Sequence, residues 1–150
     1  MSLKDPTLPA GDLTKMRTLE DVEAYLEKLG RHHDPVKPEG DGAPNTFLVR
    51  SSGSMPAIAL RVDPPLVLMR AAIGNAPTDA GTGHALFRKL LELNAKELVH
   101  SSYGLEGDRI VLSSALELAN LDFNELEATL DEIDLALTQQ VPELMKLSKK

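Results

Sequence analysis

Three short segments carry side chains of the kinds that do chemistry, and the first offers metal ligands. His32, His33 and Asp34 are adjacent in a stretch that also contains prolines and glycines. Neighbouring residues in a loop seldom converge on one ion, and a zinc site normally needs three or four converging ligands. The sequence shows no further cluster of such residues. We therefore expect the chain to bind no metal and to use no cofactor.

The second segment is rich in serine. Ser51, Ser52 and Ser54 flank Gly53 in a predicted turn. A nucleophilic serine requires a neighbouring base and an oxyanion site, and a nucleophile elbow has the pattern Gly-x-Ser-x-Gly. Neither pattern surrounds these serines, so we expect no catalytic residue among them.

The third segment, Gly81-Thr82-Gly83 before His84, could form a turn that binds an anion at the start of a helix. It lacks the third glycine of a dinucleotide fingerprint and the Lys-Ser/Thr pair of a P-loop. A simple helix entry is the plainer interpretation. A small-molecule-binding or enzymatic domain that uses the loop from Gly81 to His84 stays open as a second hypothesis.

Composition excludes several classes of protein. The 150 residues carry a formal net charge of −7, whereas binding to a nucleic-acid backbone requires clustered Lys and Arg. The chain has no cysteine, which rules out disulfides and thiolate zinc sites. No run approaches the ~18 apolar residues of a membrane span, and residues 1–11 lack the apolar core of a signal peptide. We expect a cytoplasmic protein that binds neither nucleic acid directly nor membrane.

The elements that would position these side chains begin with an arm, a helix and a loop. Residues 1–17 contain two prolines and a glycine without a clear period, which predicts a flexible N-terminal arm before a single domain at 18–150. Thr18 is suited to cap a helix, and Gly30 stands where that helix should end. Residues 31–45 hold three prolines and two glycines and are predicted to form a loop.

Apolar periodicity predicts the remaining elements. Pro142 lies inside the last helical pattern and should kink or break it near Gln140. The order α-β-β-β-α-β-β-α indicates the α+β class, with a single antiparallel sheet and helices packed on one face. The predicted elements after residue 45 are strands at 46–50, 56–62 and 66–73, a helix at 84–97, hairpin strands at 98–105 and 109–116, and a helix from Asp122.

Alternation along the three consecutive strands separates two faces. One face is apolar and should meet the core. The other mixes leucine with arginine, a composition that suits a protein interface because arginine is enriched there. An ordinary solvated face, along which the arginine stems lie, explains it equally well. The residues of this face that we consider candidates for partner binding are Leu48, Arg50, Arg61, Leu68 and Arg70.

Four motifs in the second half of the chain carry a resemblance to a known fold. They are Leu-Leu-Glu-Leu-Asn at 90–94, Tyr-Gly-Leu at 103–105, Asp-Arg-Ile-Val-Leu at 108–112 and Leu-Asp-Phe-Asn-Glu-Leu at 121–126. Together they resemble the type III secretion chaperone-like fold, which includes the Tir chaperone (CesT) group and the YbjN family. The resemblance is best over residues 84–145, and the earlier elements are compatible with it.

The resemblance implies a small, acidic, non-enzymatic protein that binds a partner protein and forms a homodimer. Secretion chaperones hold the N-terminal segment of an effector in extended form around apolar patches, whereas YbjN-like proteins are linked to regulation. The partner, and the choice between chaperone and regulatory adaptor, stay open. An extended client could also add a strand to a sheet edge. The candidate dimer element is the second helix, with Leu86, Leu90 and Leu93.

Overall fold

The structure is a computed structural model that describes residues 15–38, 40, 44–51 and 55–148. Most of the predicted N-terminal arm, together with Ser52 and Ser54, lies outside these residues. Residues 15–17 run beside the segment at 118–120. There the Arg17 N–H donates to the Leu118 carbonyl at 3.0 Å, and the Asn120 N–H donates to the Lys15 carbonyl at 2.8 Å.

The first helix, α1, spans Leu19–Lys28 and begins at the residue predicted to cap it. The Thr18 hydroxyl accepts the Asp21 N–H at 3.2 Å, and the Asp21 carboxylate accepts the Thr18 N–H at 2.9 Å. This reciprocal pair satisfies two backbone donors that a helix start leaves free. Gly30, with a φ of +71°, follows the helix in the left-handed region that glycine adopts most easily.

Six antiparallel strands form one sheet in the order β1-β2-β3-β4-β6-β5. The α+β class, the single antiparallel sheet and the predicted order of helices and strands are confirmed, with one short strand in addition. The strands are β1 (His33–Pro35), β2 (Thr46–Val49), β3 (Ile58–Asp63), β4 (Leu66–Asn75), β5 (Ser102–Glu106) and β6 (Arg109–Glu117).

Strand β1 corrects the prediction that residues 31–45 form only a loop. It pairs with β2. The flanking bonds, from the Arg50 N–H to the His32 carbonyl and from the Val36 N–H to the Thr46 carbonyl, show which backbone groups of β1 point towards β2. These are the groups of residues 32, 34 and 36, whereas the ring nitrogen of Pro35 points away from β2. Proline is tolerated at such an edge position, where no N–H is needed.

The core lies on one face of the sheet, and the helices pack against that face. The predicted alternation is confirmed: every apolar residue assigned to the core face of β2, β3 and β4 is buried. None of the helices among the described residues combines the length and apolarity that crossing a bilayer requires. The buried strand residues are Phe47, Val49, Ile58, Leu60, Val62, Val67, Met69, Ala71 and Ile73.

The chain ends in a helix that changes geometry at the predicted place. Helix α3 spans Phe123–Leu135, a π-helical turn spans Ala136–Gln140, and α4 spans Val141–Ser148. Pro142 cannot donate a backbone hydrogen bond, and the Val141 N–H just before it donates to the Ala136 carbonyl, five residues back. The irregularity expected near Gln140 is confirmed as this wider turn.

Candidate functional site

The face of the sheet away from the helices, called the outer face below, is ordered by the strand register. One row across it runs through Asp34, Leu48, Ala59, Arg70, Ser113 and Ser102. The next row runs through Thr46, Arg61, Leu68 and Ala115. Four of the five predicted partner-binding residues thus occupy adjacent rows, and Arg50 directly follows the end of β2.

Each of the three arginines on the outer face lies near a carboxylate. Arg50 Nη2 is 3.9 Å from an oxygen of Asp34, and Arg61 Nη2 is 3.5 Å from an oxygen of Asp63. All of these side chains are about half exposed. Surface pairs of this kind contribute roughly 0–1 kcal/mol each, so the guanidinium groups can exchange partners at little cost.

The side chain of the third arginine, Arg70, reaches across the neighbouring strand. Arg70 on β4 places Nη2 2.8 Å from an oxygen of Glu106 on β5, and β6 lies between these two strands. In the register, Val111 of β6 lies between them on the same face, and it is buried although none of the described helices covers this side. The side chain of Arg70, which reaches Glu106 past Val111, is placed to cover it, since an arginine can cover apolar surface with its methylene groups.

Two shallow depressions form a continuous trough on the outer face. The smaller, about 190 Å³, is lined by Thr46, Ala59 and Arg61 together with Leu68 and Arg70. The larger, about 440 Å³, shares Leu68 and Arg70 and extends to the segment at 99–102. The smaller depression is mostly apolar, with arginines at its sides, whereas serines and His100 make the larger one mostly polar, and both are open to solvent.

The segment before β5 differs from the prediction. Residues 98–101, predicted as strand, instead form a turn, and β5 begins at Ser102. Glu132 of α3 holds this turn: its carboxylate accepts the N–H groups of Val99 and His100, each at 2.8 Å, and the Ser101 hydroxyl at 2.6 Å. Partial burial opposes ionisation of Glu132, but these hydrogen bonds outweigh it and lower the pKa of the carboxyl below its ordinary value of 4.5.

Each outer edge of the sheet has one feature that limits pairing with an added strand. The side chain of Asn94 occupies the β5 edge, where its Oδ1 accepts the Tyr103 N–H at 2.8 Å and its Nδ2 donates to the Tyr103 carbonyl at 3.1 Å. At the other edge, β1 has only three residues, and Pro35 lacks a donor. Sequence reasoning missed both Glu132 and Asn94, because their partners are remote backbone groups that no local pattern reveals.

The segment from Gly81 to His84 is not a loop. Helix α2 spans Ala80–Lys96, so these residues form its first turn. The Asp79 carboxylate already caps this end: it accepts the Thr82 N–H at 2.8 Å, and this backbone bond lowers the pKa of Asp79. An anion would have to displace that carboxylate, which disfavours the second hypothesis at this position.

The other chemical candidates do not converge. His32 Nε2 lies 3.3 Å from Asp34, while His33 Nε2 lies 3.7 Å from Glu23 on α1. Strand alternation sends the two histidines to opposite faces. Ser51 donates to Asp134 at 3.0 Å. Across the ranges that the structure describes, no group of three or more potential metal-binding side chains comes together.

The residues predicted to form a dimer interface are instead buried within the chain. Leu86, Leu90 and Leu93 of α2 belong to its own hydrophobic core and cannot also face a second subunit. Another residue on the wide apolar side of α2 is exposed instead. Leu91 is 68% exposed, and it lines a groove of about 510 Å³ with the half-buried Phe87.

One family model and several solved structures are similar to this chain. The CesT_Tir_1 family model matches residues 15–150, and no curated protein matches the chain. A chain of the heterodimeric ExoU–SpcU complex from the type III secretion system of Pseudomonas aeruginosa superposes with a TM-score of 0.61 at 15% identity. The alignment covers 81% of this chain and 95% of that one.

Two further structures share the architecture. YbjN of E. coli, described as a putative transcription regulator, superposes with a TM-score of 0.57 at 11% identity, over 83% of this chain and 91% of that one. The Yersinia pestis type III secretion chaperone SycH, in complex with a fragment of YscM2, gives 0.50 at 16% identity, over 87% and 100%. At these identities the likeness establishes the fold, which is that of type III secretion chaperones and YbjN.

Proposed function

Because this chain belongs to the CesT_Tir_1 family, we propose that it is a cytoplasmic, non-enzymatic module that binds a segment of a partner protein on its outer face. The observation that carries the proposal is the trough: Leu68 and the half-exposed Arg61 and Arg70 border an open, continuous depression on the side of the sheet opposite the described helices. It acts as a chaperone for a client or as a regulatory adaptor.

The similar structures support a protein partner. ExoU–SpcU and SycH with YscM2 are both complexes of two different proteins. YbjN, described as a putative transcription regulator, supports the adaptor alternative. Both alternatives require the same thing of this chain, namely a surface that receives a partner segment.

The outer face suits an extended segment. Side chains that alternate along such a segment can rest against Leu48 and Leu68, in adjacent rows of the sheet. Arg50, Arg61 and Arg70 can give up their exposed carboxylate partners for carboxylates or carbonyls of the segment. The segment should therefore combine apolar residues with acidic ones.

Changing Arg50, Arg61 and Arg70 together to serine should weaken partner binding at least about tenfold, because interface arginines are frequent hot spots. The stability of the free protein should fall by no more than about 3 kcal/mol, since three exposed surface pairs that contribute roughly 0–1 kcal/mol each are lost. The partner would be isolated by affinity capture from the native cytosol and identified by mass spectrometry. Its Kd for each purified variant would then be measured by calorimetry.

A matched control removes three positive charges elsewhere. Lys28, Lys89 and Lys146 are exposed on helices α1, α2 and α4, outside the outer face and the α2 groove, and their change to serine alters net charge equally. This control should leave the Kd within about threefold of the original, as expected of changes outside an interface. Equal weakening in both triple variants would show that general charge, rather than the outer face, governs binding.

We also propose that the groove on α2 receives a second copy of the chain. An exposed leucine beside a half-buried phenylalanine is a suitable centre for an isologous contact, in which α2 of one protomer meets α2 of its partner. Leu91→Asp should convert the dimer to a monomer in light scattering and keep the fold. Ala85→Asp, on the same helix but outside the groove, should stay dimeric. A dimer that survives Leu91→Asp would remove this groove from the interface.

A further inference from the structure

Val111 of β6 is a buried apolar residue that lies outside the hydrophobic core. It is 4% exposed, yet in the described part of the chain it is the one buried apolar side chain that does not belong to the core. Its neighbours Ile110 and Leu112 point into the core, so alternation along the strand sends Val111 to the outer face. Another side chain on that face must therefore keep water from it.

The ion pair between Arg70 and Glu106 spans Val111. In the register Val111 lies beside Ala72 of β4 and Gly104 of β5. Arg70 stands one row earlier on β4, and Glu106 stands one row later on β5. Alanine and glycine project little from the sheet, and a Cβ built on Gly104 would meet none of the surrounding atoms within 4 Å. The methylene groups of Arg70, on their way to Glu106, are thus placed over Val111.

Glu106 can exchange Arg70 for a second arginine. Its direct cross-strand neighbour on the same face is Arg109, which forms no ion pair with any of the residues that the structure describes. The Cβ atoms of such neighbours are about 4.5–5.5 Å apart, within reach of a salt bridge. The pair between Arg70 and Glu106 is itself about half exposed, and exposed pairs contribute little to stability. Moving Arg70 away from Glu106 therefore costs little free energy.

We propose that the Arg70–Glu106 pair is a movable cover, and that Val111 beneath it is an apolar subsite for the partner segment. The inference rests on the proposed function and adds which residues the segment carries. When Arg70 leaves Glu106, it binds a carboxylate of the segment in its own row, and an apolar side chain of the segment rests on Val111. Ser113, the cross-strand neighbour of Arg70, can donate to the same carboxylate, since its hydroxyl makes no hydrogen bond to any described residue.

The distance between the two rows sets the spacing of the two side chains in the segment. The rows of Arg70 and Val111 are two residues apart along the strands, or about 6.6–6.8 Å. Side chains on one face of an extended segment repeat at the same distance. Arg70 lines both depressions of the trough, so the acidic residue lies where they meet. The segment should therefore carry Asp or Glu two positions from Val or Leu.

The cover can be tested first in the free protein. Glu106→Gln removes the charge that holds Arg70, so a dissolved paramagnetic agent should reach the isotope-labelled methyl groups of Val111 and speed their relaxation in NMR. Glu143→Gln is the matched control, because it removes an equal charge from an exposed ion pair on α4, 3.6 Å from Lys146, and it should leave Val111 shielded. Methyl groups that stay equally shielded in Glu106→Gln would overturn the proposal.

The subsite can be tested with the capped peptide Lys-Thr-Glu-Thr-Leu-Thr-Lys. At millimolar concentration it should shift the methyl signals of Val111, and Glu106→Gln should tighten its Kd about two- to fivefold, the range that release of an exposed ion pair allows. Glu143→Gln should leave the Kd unchanged. The isomer Lys-Thr-Glu-Leu-Thr-Thr-Lys, in which the acid and the leucine are adjacent, should bind about tenfold more weakly, as expected when a leucine side chain stays in water. Unmoved Val111 signals, or equal affinity for the two peptides, would contradict the proposal.

The captured partner separates failure of the cover from failure of the proposed function. If the arginine triple variant loses the partner while Glu106→Gln neither exposes Val111 nor changes the partner's Kd, the outer face stands and the cover is excluded. If the triple variant binds the partner normally, the outer face and the subsite on it are both excluded. If the triple variant loses the partner and Glu106→Gln binds it about two- to fivefold more tightly, the outer face and the cover both stand.

Discussion

Leu90→Asp is expected to unfold the protein. Leu90, on α2, is only 5% exposed and belongs to the hydrophobic core. Truncating such a leucine costs about 2–5 kcal/mol, and burying a carboxylate without a partner adds several kcal/mol more. The sum is comparable with the whole stability of a typical domain, about 5–15 kcal/mol. Circular dichroism and urea titration should show loss of the cooperative transition.

Leu91→Asp is the matched control for this change. The two leucines are neighbours on α2, yet Leu91 is 68% exposed, so the control should stay folded within about 0.5 kcal/mol of the original. A folded Leu90→Asp protein with a changed oligomeric state would contradict the burial described here. In that case α2 would present Leu90 to another subunit, as its sequence pattern suggested.

Glu132→Ala should destabilise the protein although the residue is charged and only partly buried. Its carboxylate receives two N–H groups and a hydroxyl of the turn at 99–101. Hydrogen bonds to a charged group contribute about 1.5–3 kcal/mol when buried, and partial exposure reduces this, so we expect a total loss of about 2–4 kcal/mol. Chemical denaturation would measure it. Asp131→Ala, at the exposed neighbouring position, should change stability by less than about 0.5 kcal/mol.

The same carboxylate should make stability depend on pH in the acid range. Its pKa is lower in the folded protein than the ordinary value of 4.5, so folding favours the ionised form. The contribution is fully present above the unfolded pKa and is lost as pH falls through the folded pKa. Glu132→Gln should therefore flatten the acid limb of the stability curve. An unchanged acid limb in that variant would show that other carboxyl groups govern acid unfolding.

The first residues of the helices show what short sequence patterns can and cannot predict. Thr18 was predicted as a cap from its residue type, and Asp122 as the start of the last helix from the apolar pattern that follows it. In the structure each forms a reciprocal pair with the acid three residues later. The start of α2 was missed by four residues. Its cap, Asp79, is followed by Gly81 and Gly83, and glycine is so poor a helix former that the segment reads as a loop. Packing of α2 against the core overrides that preference.

The apolar side of α2 shows what the spacing of apolar residues cannot predict. Leu86, Leu90, Leu91 and Leu93 form one broad stripe in the sequence, and no local rule says which of them meets the core. The structure buries three and leaves Leu91 outside. Which part of a wide stripe is covered depends on how the helix is rotated about its axis, and contacts with remote elements set that rotation.

The sequence by itself determined the order of the elements other than β1, the buried faces of β2, β3 and β4 and an irregularity before Pro142, because side-chain alternation, capping and the missing proline N–H are local properties. Only the tertiary structure decided that β1 pairs with β2 and that Leu68 and Arg70 join both depressions of the trough. It also decided that Glu132 fixes a turn 31 to 33 residues away. These features depend on strand register and on contacts between distant segments, whose energies arise only when the chain is assembled.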